Sequence, residues 1–369
     1  MVNSGYKQSL FYANEPVGKY GSTKTVNSDI GMVQSVDPTE SNSVFKVRKL
    51  GGSRDYAALV PGKFECGGSF EYLLQDGKFI RQAFGEDSAS TATANSGPRY
   101  IFSSTNSTTA TGTTYHHVMG SADSPGVNNF PSFTLELNDD EDDVKGTATF
   151  KRIYNGCRVD NLTISGEVDN PVSVSVDYIA QRVQISTAGK TVVTEQTEDP
   201  YVFYQGGVYI LGTPLGTANA TGTVSEVNSF EFSINNNLEP AWFINRGTTN
   251  PWENIRCLKH LIPKGRDMES RLSFNFKDKT QYERFLGAAG ASDPSLTFTK
   301  PTVILDLVRG GGPGAKSTSA SNDWMRLELA SCIFEDVTID AAPEDVVSED
   351  YSIFVKSAKM HVFDDISTY

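Results

Sequence analysis

Between Arg309 and Ala320 the chain reads RGGGPGAKSTSA, with Gly310, Ala315, Lys316 and Ser317 close to the places where a phosphate-binding loop carries its glycines, lysine and hydroxyl. Such a loop follows a strand and opens a helix, whose free N–H groups and dipole then face the phosphate. The strand is present, VILDLV at 303–308, but the run continues as STSASNDWMRLELASC, a polar loop leading into an alternating strand. No helix is predicted after the glycines, and Ala315 stands where the motif wants glycine. The run reads as a hairpin tip.

The remaining reactive side chains are no better placed. The acidic run NDDEDD at 138–143 lacks the alternate spacing and the glycine of a calcium loop, so it reads as solvated charge. His116 and His117 are adjacent in a Ser/Thr-rich stretch with no Asp, Glu or Cys near them in sequence. Cys66, Cys157, Cys257 and Cys332 form no CxxC pair, which argues against zinc and a disulfide framework and for buried thiols. His260 lies three residues after Cys257, and nothing nearby completes a site. Neither a G-x-S-x-G elbow nor an H-E-x-x-H motif occurs. Asn106, Asn161 and Asn219 open N-x-S/T triplets of the kind a Ser/Thr-rich chain produces by chance. No cofactor is expected, and no enzyme.

The elements that would position any site are strands. SFEYLL, SFTLEL, SVSVDY, VYIL, SFEFSI, RLSFNF, VILDLV and MRLELA all alternate apolar and polar residues, the period of a half-buried strand. Ser/Thr/Gly/Asn-rich stretches at 86–129 and 212–225 read as long loops. Only 76–85 and 278–287 suit helices. The 369 residues are 38% apolar, enough for two cores, and no run approaches the ~20 residues of a membrane span. The opening MVNSGYKQSLFYANEP lacks the basic and apolar regions of a secretory signal, which predicts folding in a cytoplasm. A net charge of −13 disfavours gripping DNA phosphates, though it suits a surface that DNA must slide past.

An internal repeat is the strongest signal. Residues 59–85 lie over 261–287 at a constant offset of 202, so that Leu59, Pro61, Asp76 and Gly85 meet Leu261, Pro263, Asp278 and Gly287. Asp76 and Asp278 are predicted to cap their helices, and Gly85 and Gly287 to end them in the left-handed conformation. Residues 156–165 lie over 331–340 at an offset of 175, and Cys157 meets Cys332. The hairpin tip that is glycine-rich at 309–320 is acidic at 138–146 in the other copy, which again argues against a phosphate cradle. The chain reads as a tandem duplication: an N-terminal arm at 1–27, a first domain at 28–186 with a long insertion at 86–129, a connector at 187–225, and a second domain at 226–369.

SVFKVRKLGGSRDYAALVPGKFECGGSFEYLLQDGKFIRQAFG, then GCRVDNLTISGEVDNPVSVSVDYIA, then SFEFSINNNLEP, resemble the tail tube proteins of tailed viruses of bacteria and archaea, in a long two-repeat form. The resemblance covers most of 28–365. It implies two mainly β, sandwich-type domains, each with one short helix, whose inner strands join their neighbours into a ring-wide β-barrel. Rings stack into a hollow tube that conducts DNA from capsid to cell. Closing the ring leaves no open sheet edge.

Family rings of single domains are six-fold, so a chain with two domains is expected to build its ring from three copies, with six copies as the other possibility. The implied partners are the chain itself, a tape measure, a tail terminator and baseplate or tip proteins, and viral DNA in transit without sequence-specific binding. Whether a sheath binds outside is left open, and no membrane partner is implied. The implied location is the virion tail, reached from the host cytoplasm.

The resemblance implies an inner barrel built from about 31–40, 64–74, 157–166 and 172–182, with 229–240, 266–276, 332–341 and 350–360. Side-chain alternation on those strands then makes Glu71, Thr163, Ser173, Ser175, Asp177, Asp336, Thr338 and Asp340 candidates for lining the lumen. An ordinary solvated strand face would have the same composition. The long loops 41–61 and 244–264, with Arg48, Arg54, Arg246 and Trp252, are candidates for contact between stacked rings. A carbohydrate-binding or adhesive β-sandwich, a virion decoration protein, or the inner tube of a contractile injection device would share much of this pattern.

Overall fold

The computed structural model describes residues 8–16, 18–52, 54–91, 115–120, 130–139, 150–186, 191–211, 223–242, 256–288, 290–309, 324–341 and 346–364. In chain order the first half contains β1 (Gln8–Asn14), β2 (Ser28–Asp29), β3 (Met32–Val47), β4 (Ala58–Leu73), α1 (Arg81–Phe84), β5 (Glu86–Thr91) and β6 (Tyr115–Gly120). It continues with β7 (Phe133–Asp139), β8 (Phe150–Glu167), β9 (Ser173–Ala180) and β10 (Arg182–Ser186). The second half contains β11 (Gly206–Leu211), β12 (Thr223–Ser225), β13 (Val227–Asn235), β14 (Leu238–Ala241) and β15 (His260–Pro263). Then come β16 (Asp267–Asn275), α2 (Thr280–Phe285), β17 (Thr302–Val308), β18 (Trp324–Asp340) and β19 (Ser348–Asp364). All eight alternating runs lie in strands, and both predicted helices are present as shorter pieces. The fold is mainly β.

Eight strands, four from each half, form one antiparallel sheet in the order β3–β4–β9–β8–β13–β16–β19–β18. The long strands β8, β18 and β19 leave this inner sheet partway along and enter two outer sheets. In the first outer sheet β8 pairs with β7 and β10, and β1 covers β7. In the second, β11–β17–β18–β19 is extended by β6 and β5. A strand can change sheets where an extra residue or a special φ bends it. Gly156 in β8 (φ 63°) and Ser331 in β18 (φ 55°) stand at these bends. Phe70, Val174, Val176 and Leu272 on the inner sheet meet Leu135, Tyr154, Val303 and Leu329 on the outer sheets in one continuous core.

The ladders of the two halves superimpose residue for residue. Val36 pairs with Phe70 and Phe230 with Leu272. Phe70 pairs with Val176 and Leu272 with Tyr351. Leu162 pairs with Val176 and Val337 with Tyr351. The irregularities coincide too: Val33/Ser35 with Val227/Ser229, and Val159/Asn161 with Phe334/Asp336. Cys157 Sγ donates to the carbonyl of Tyr154, and Cys332 Sγ to that of Leu329, at 3.5 and 3.2 Å. Because Ser331 holds a left-handed conformation that its counterpart Gly156 adopts without penalty, Ser331→Gly should stabilise the protein by about 1 kcal/mol. Denaturant unfolding checks this, and an unchanged midpoint would remove the strain argument.

Several sequence expectations need correction. The stretch 41–61, expected as a loop, is mostly a long hairpin: β3 and β4 stay paired from Asn42 and Phe64 out to Val47 and Ala58, leaving only 48–57 as its tip. Within 86–129, β5 and β6 form a hairpin that adds to β19 of the second half. Part of 244–264 is strand as well, since β15 pairs with β14. Residues 8–14, expected in an arm, form β1, whose Leu10, Phe11, Tyr12 and Ala13 are buried. Residues 206–211, expected in a connector, form β11, which pairs with β17 as β1 pairs with β7.

Neither Asp76 nor Asp278 caps a helix directly. Each accepts from the N–H two residues on, Lys78 at 3.0 Å, before α1 begins, and Thr280 at 2.8 Å, the first residue of α2. Gly85 and Gly287 take positive φ, 105° and 111°, but Gly85, with ψ −70°, ends α1 outside the left-handed helical region expected for it.

Candidate functional site

The inner sheet has two faces of opposite character. One is apolar and buried: Phe70, Tyr72, Val174, Val176, Leu162, Ile164, Phe232 and Ile234 point into the core. Alternation then sends their neighbours to the other face. Cross-strand pairing places Glu71 opposite Ser175, Ser175 opposite Thr163, and Thr163 opposite Ser233 in one row. Ser173 pairs with Ser165, Asp177 with Asn161, Thr338 with Asp350 and Asp340 with Ser348 in others. Asp336 pairs with Ser352, beside Arg271. All eight predicted residues therefore share one face, away from the core.

This face forms a shallow trough across the middle of the sheet. Its lining includes five carboxylates, from Glu71, Glu167, Glu231, Asp336 and Asp350, against one guanidinium, Arg271. The remainder is largely hydroxyl and amide, and the Ser165 and Ser173 hydroxyls lie 3.0 Å apart. Carboxylates, hydroxyls and amides on a regular backbone produce a negative, hydrated surface, on which Arg271 stands across from Glu231 as the single cation among the described lining residues. Among the described residues, the trough's lining includes neither a thiol nor an imidazole.

Among the described residues, the reactive groups that are most deeply buried lie in the core. Burial pushes the Cys66 and Cys332 thiols up to about 12, which leaves them protonated and inert. Cys157 is buried as well, and Cys257 is partly exposed. His117, for which the sequence showed no acidic neighbour, is fully buried with its Nε2 3.7 Å from Asp364 of β19. Among the described residues no cluster of His, Cys, Asp and Glu could hold a metal ion. The strands flanking the glycine-rich run pair directly, Val308 with Trp324, so the run closes a hairpin. Its own residues 310–323 lie outside the described residues, as does the matching acidic tip at 140–149.

Two further features stand out. First, both edges of the inner sheet are open among the described residues, as a sheet that joins its neighbours requires: β3 pairs only with β4, and the 336–340 portion of β18 pairs only with β19. Second, the β3–β4 hairpin projects as an arm with exposed apolar side chains, among them Phe45, Val47, Leu50 and Leu59. A contiguous exposed apolar patch marks a surface that meets another molecule. Arg48 and Arg54 are exposed near its tip, and the Arg48 guanidinium stacks 4.8 Å over the Tyr56 ring. Arg256 from the second half holds the base of the arm, donating to Gly62 O at 2.7 Å and Asn42 Oδ1 at 2.6 Å. Arg246 and Trp252 lie outside the described residues. The polar, non-alternating sequence around TESNSV hid the arm, because neither of its faces is buried.

A family model described as phage tail tube protein matches residues 5–347 of the chain. No curated protein matches it.

Proposed function

The chain belongs to the phage tail tube protein family, and from that premise we propose that it polymerises as stacked rings into the hollow tube that conducts viral DNA from capsid to host cell. Membership makes it a structural component of the virion tail, and the family is non-enzymatic. The observation that carries the finer reading is the eight-stranded inner sheet, with an acidic face and two open edges. A sheet of this kind is completed by pairing its edges with other copies, and a closed barrel has no edge left to aggregate. The acidic face then lines the bore, where it repels DNA and lets it slide.

In this reading the two halves are a tandem duplication, supported by ladder registers that repeat with their irregularities. Each chain does the work of two single-domain subunits. Three copies, each giving eight strands, form one ring, in preference to six copies. The apolar β3–β4 arm, with Arg48 and Arg54, reaches the next ring, and the segment holding Arg246 and Trp252 stands beside its base. The tape measure, tail terminator and baseplate or tip proteins meet the tube at its bore and ends. Assembly takes place in the host cytoplasm.

Electron microscopy of the purified chain at high concentration tests this. Hollow rings of three copies are expected. Compact monomers that persist even with tail initiation proteins present would overturn it.

The bore assignment has its own test. Asp177→Lys combined with Asp336→Lys should leave tubes intact while slowing genome ejection at least several-fold, because each ring gains cations that pair with phosphates. Ejection at the normal rate from such virions would remove these residues from the bore.

A further inference from the structure

The junction between the two halves is itself a strand pairing. β8 of the first half lies against β13 of the second, with Phe232 opposite Ile164, Ser233 opposite Thr163 and Asn235 opposite Asn161. The repeated ladders identify the counterpart of each strand. β18 corresponds to β8, since Leu162–Val176 and Val337–Tyr351 are equivalent pairs. β3 corresponds to β13, since Val36–Phe70 and Phe230–Leu272 are equivalent pairs. The molecule therefore contains one β8–β13 junction and, at its two ends, the free halves of a second.

We propose, building on the ring reading above, that the free edge of β18 takes β3 of a second copy of this chain in the register of the internal junction, and that opposed carboxylates of Asp37 and Asp340 at this seam restrain its closure. Carrying the internal register across sets Thr338 opposite Thr39, Asp340 opposite Asp37 and Asp336 opposite Ser41. Burial marks the missing partner. Ile164, inside the internal junction, is 3% exposed, while its counterpart Ile339 on the free edge is 50% exposed. An apolar side chain at a core position of an edge strand is covered when that edge is paired.

The two seams differ in charge. In the internal junction Glu231 lies between Ser165 on one side and Arg271 on the other, so its carboxylate has a cation directly across. Its counterpart Asp37 has Ser69 on the inner side and, in this register, Asp340 on the outer. Like charges directly opposite on a sheet face are destabilising, and at an exposed site salt screens them. Pro38, beside Asp37, adds no N–H donor to the edge. The internal junction joins strands of one chain and so forms independently of concentration, whereas the outer seam resists closure until concentration, salt or an initiating surface favours it.

Disulfide trapping in the full chain tests the register, because directly opposed residues have Cα separations of ~4.5–5.5 Å, within reach of a disulfide. Oxidised Thr39→Cys/Thr338→Cys protein should run as covalent oligomers ending in a closed ring, while each single variant, which controls for the native thiols, should not. Thr39→Cys/Asp340→Cys, slipped by two residues, should link far less. Rings that form but link as well or better in the slipped pair overturn the register and leave the tube reading intact. Absence of any oligomer in all variants overturns both. For the charge, Asp340→Ser copies the internal Ser165. It should lower the concentration of half-assembly at low salt by about five-fold and flatten its salt dependence. An unchanged concentration and salt dependence would overturn the carboxylate restraint.

Discussion

Arg326→Met should lower the stability of the folded chain by about 3–5 kcal/mol, the cost of leaving a buried charge without its partner. Arg326 is fully buried in β18. Its Nε and Nη2 donate to the two carboxylate oxygens of Asp306 in β17 at 2.5 and 2.6 Å. The guanidinium also lies 4.5 Å over the Trp324 ring. Burial pushes the Asp306 carboxyl above its usual range, and Arg326 pulls it back. Without the arginine the upward push of burial is opposed only by the weaker influence of His361, so Asp306 binds its proton more tightly folded than unfolded. Stability of the variant then falls as pH rises through the window above the ordinary carboxylate range, and part of the loss is recovered below it. Denaturant unfolding at two pH values reads both effects. Adding Asp306→Leu to Arg326→Met should restore most of the loss, because an apolar pair of similar volume replaces an ion pair well. A loss below about 1 kcal/mol would mean that water reaches the site.

Phe232→Ala should cost about 3–5 kcal/mol and act first at the junction between the halves. Phe232 is fully buried in β13, opposite Ile164 of β8 and Ser270 of β16. Its ring stacks on Phe84 of α1 with centroids 6.2 Å apart. It therefore ties the second half both to the strand and to the helix of the first. Removing it opens a cavity where the chain has no local connection to hold the strands together. Amide exchange should accelerate on β8 and β13 before the outer sheets. Uniform acceleration would show instead that the two halves unfold as one unit, and a loss under about 1.5 kcal/mol would show that the site collapses to fill the space.

How much of this was legible in the sequence depended on whether a strand buries one face. SVSVDY and SFEFSI alternate because each strand packs one side on the core and turns the other to the trough, so their type and their outward residues could be read directly. The correspondence of Cys157 with Cys332 was legible for a related reason, since both thiols fill the same core position. The outer half of β3, from Asn42 to Val47, was not, because a hairpin arm packed on nothing imposes no period on its residues. β5 and β6 were hidden by a Ser/Thr-rich composition that suits strands and loops alike. The closeness of His117 to Asp364 arises only through the pairing of β6 with β19, a long-range contact that no local pattern records. That the sheet has open edges followed from the resemblance, but which strands carry them is a property of topology that the pairings of the described residues reveal.

The β5–β6 hairpin leaves the first half and extends the outer sheet of the second, and no strand among the described residues follows α2 before β17 to do the same in return. The backbone ladder of the inner sheet is nearly indifferent to which half a strand came from, but the exterior is not. In a ring of three copies the bore would repeat every sixth of a turn while the outside repeats every third. A protein that grips such a tube from without would find three equivalent footholds where the channel inside presents six, so a two-subunit chain of this kind would free the outer surface to carry a lower symmetry than the passage it enclosed.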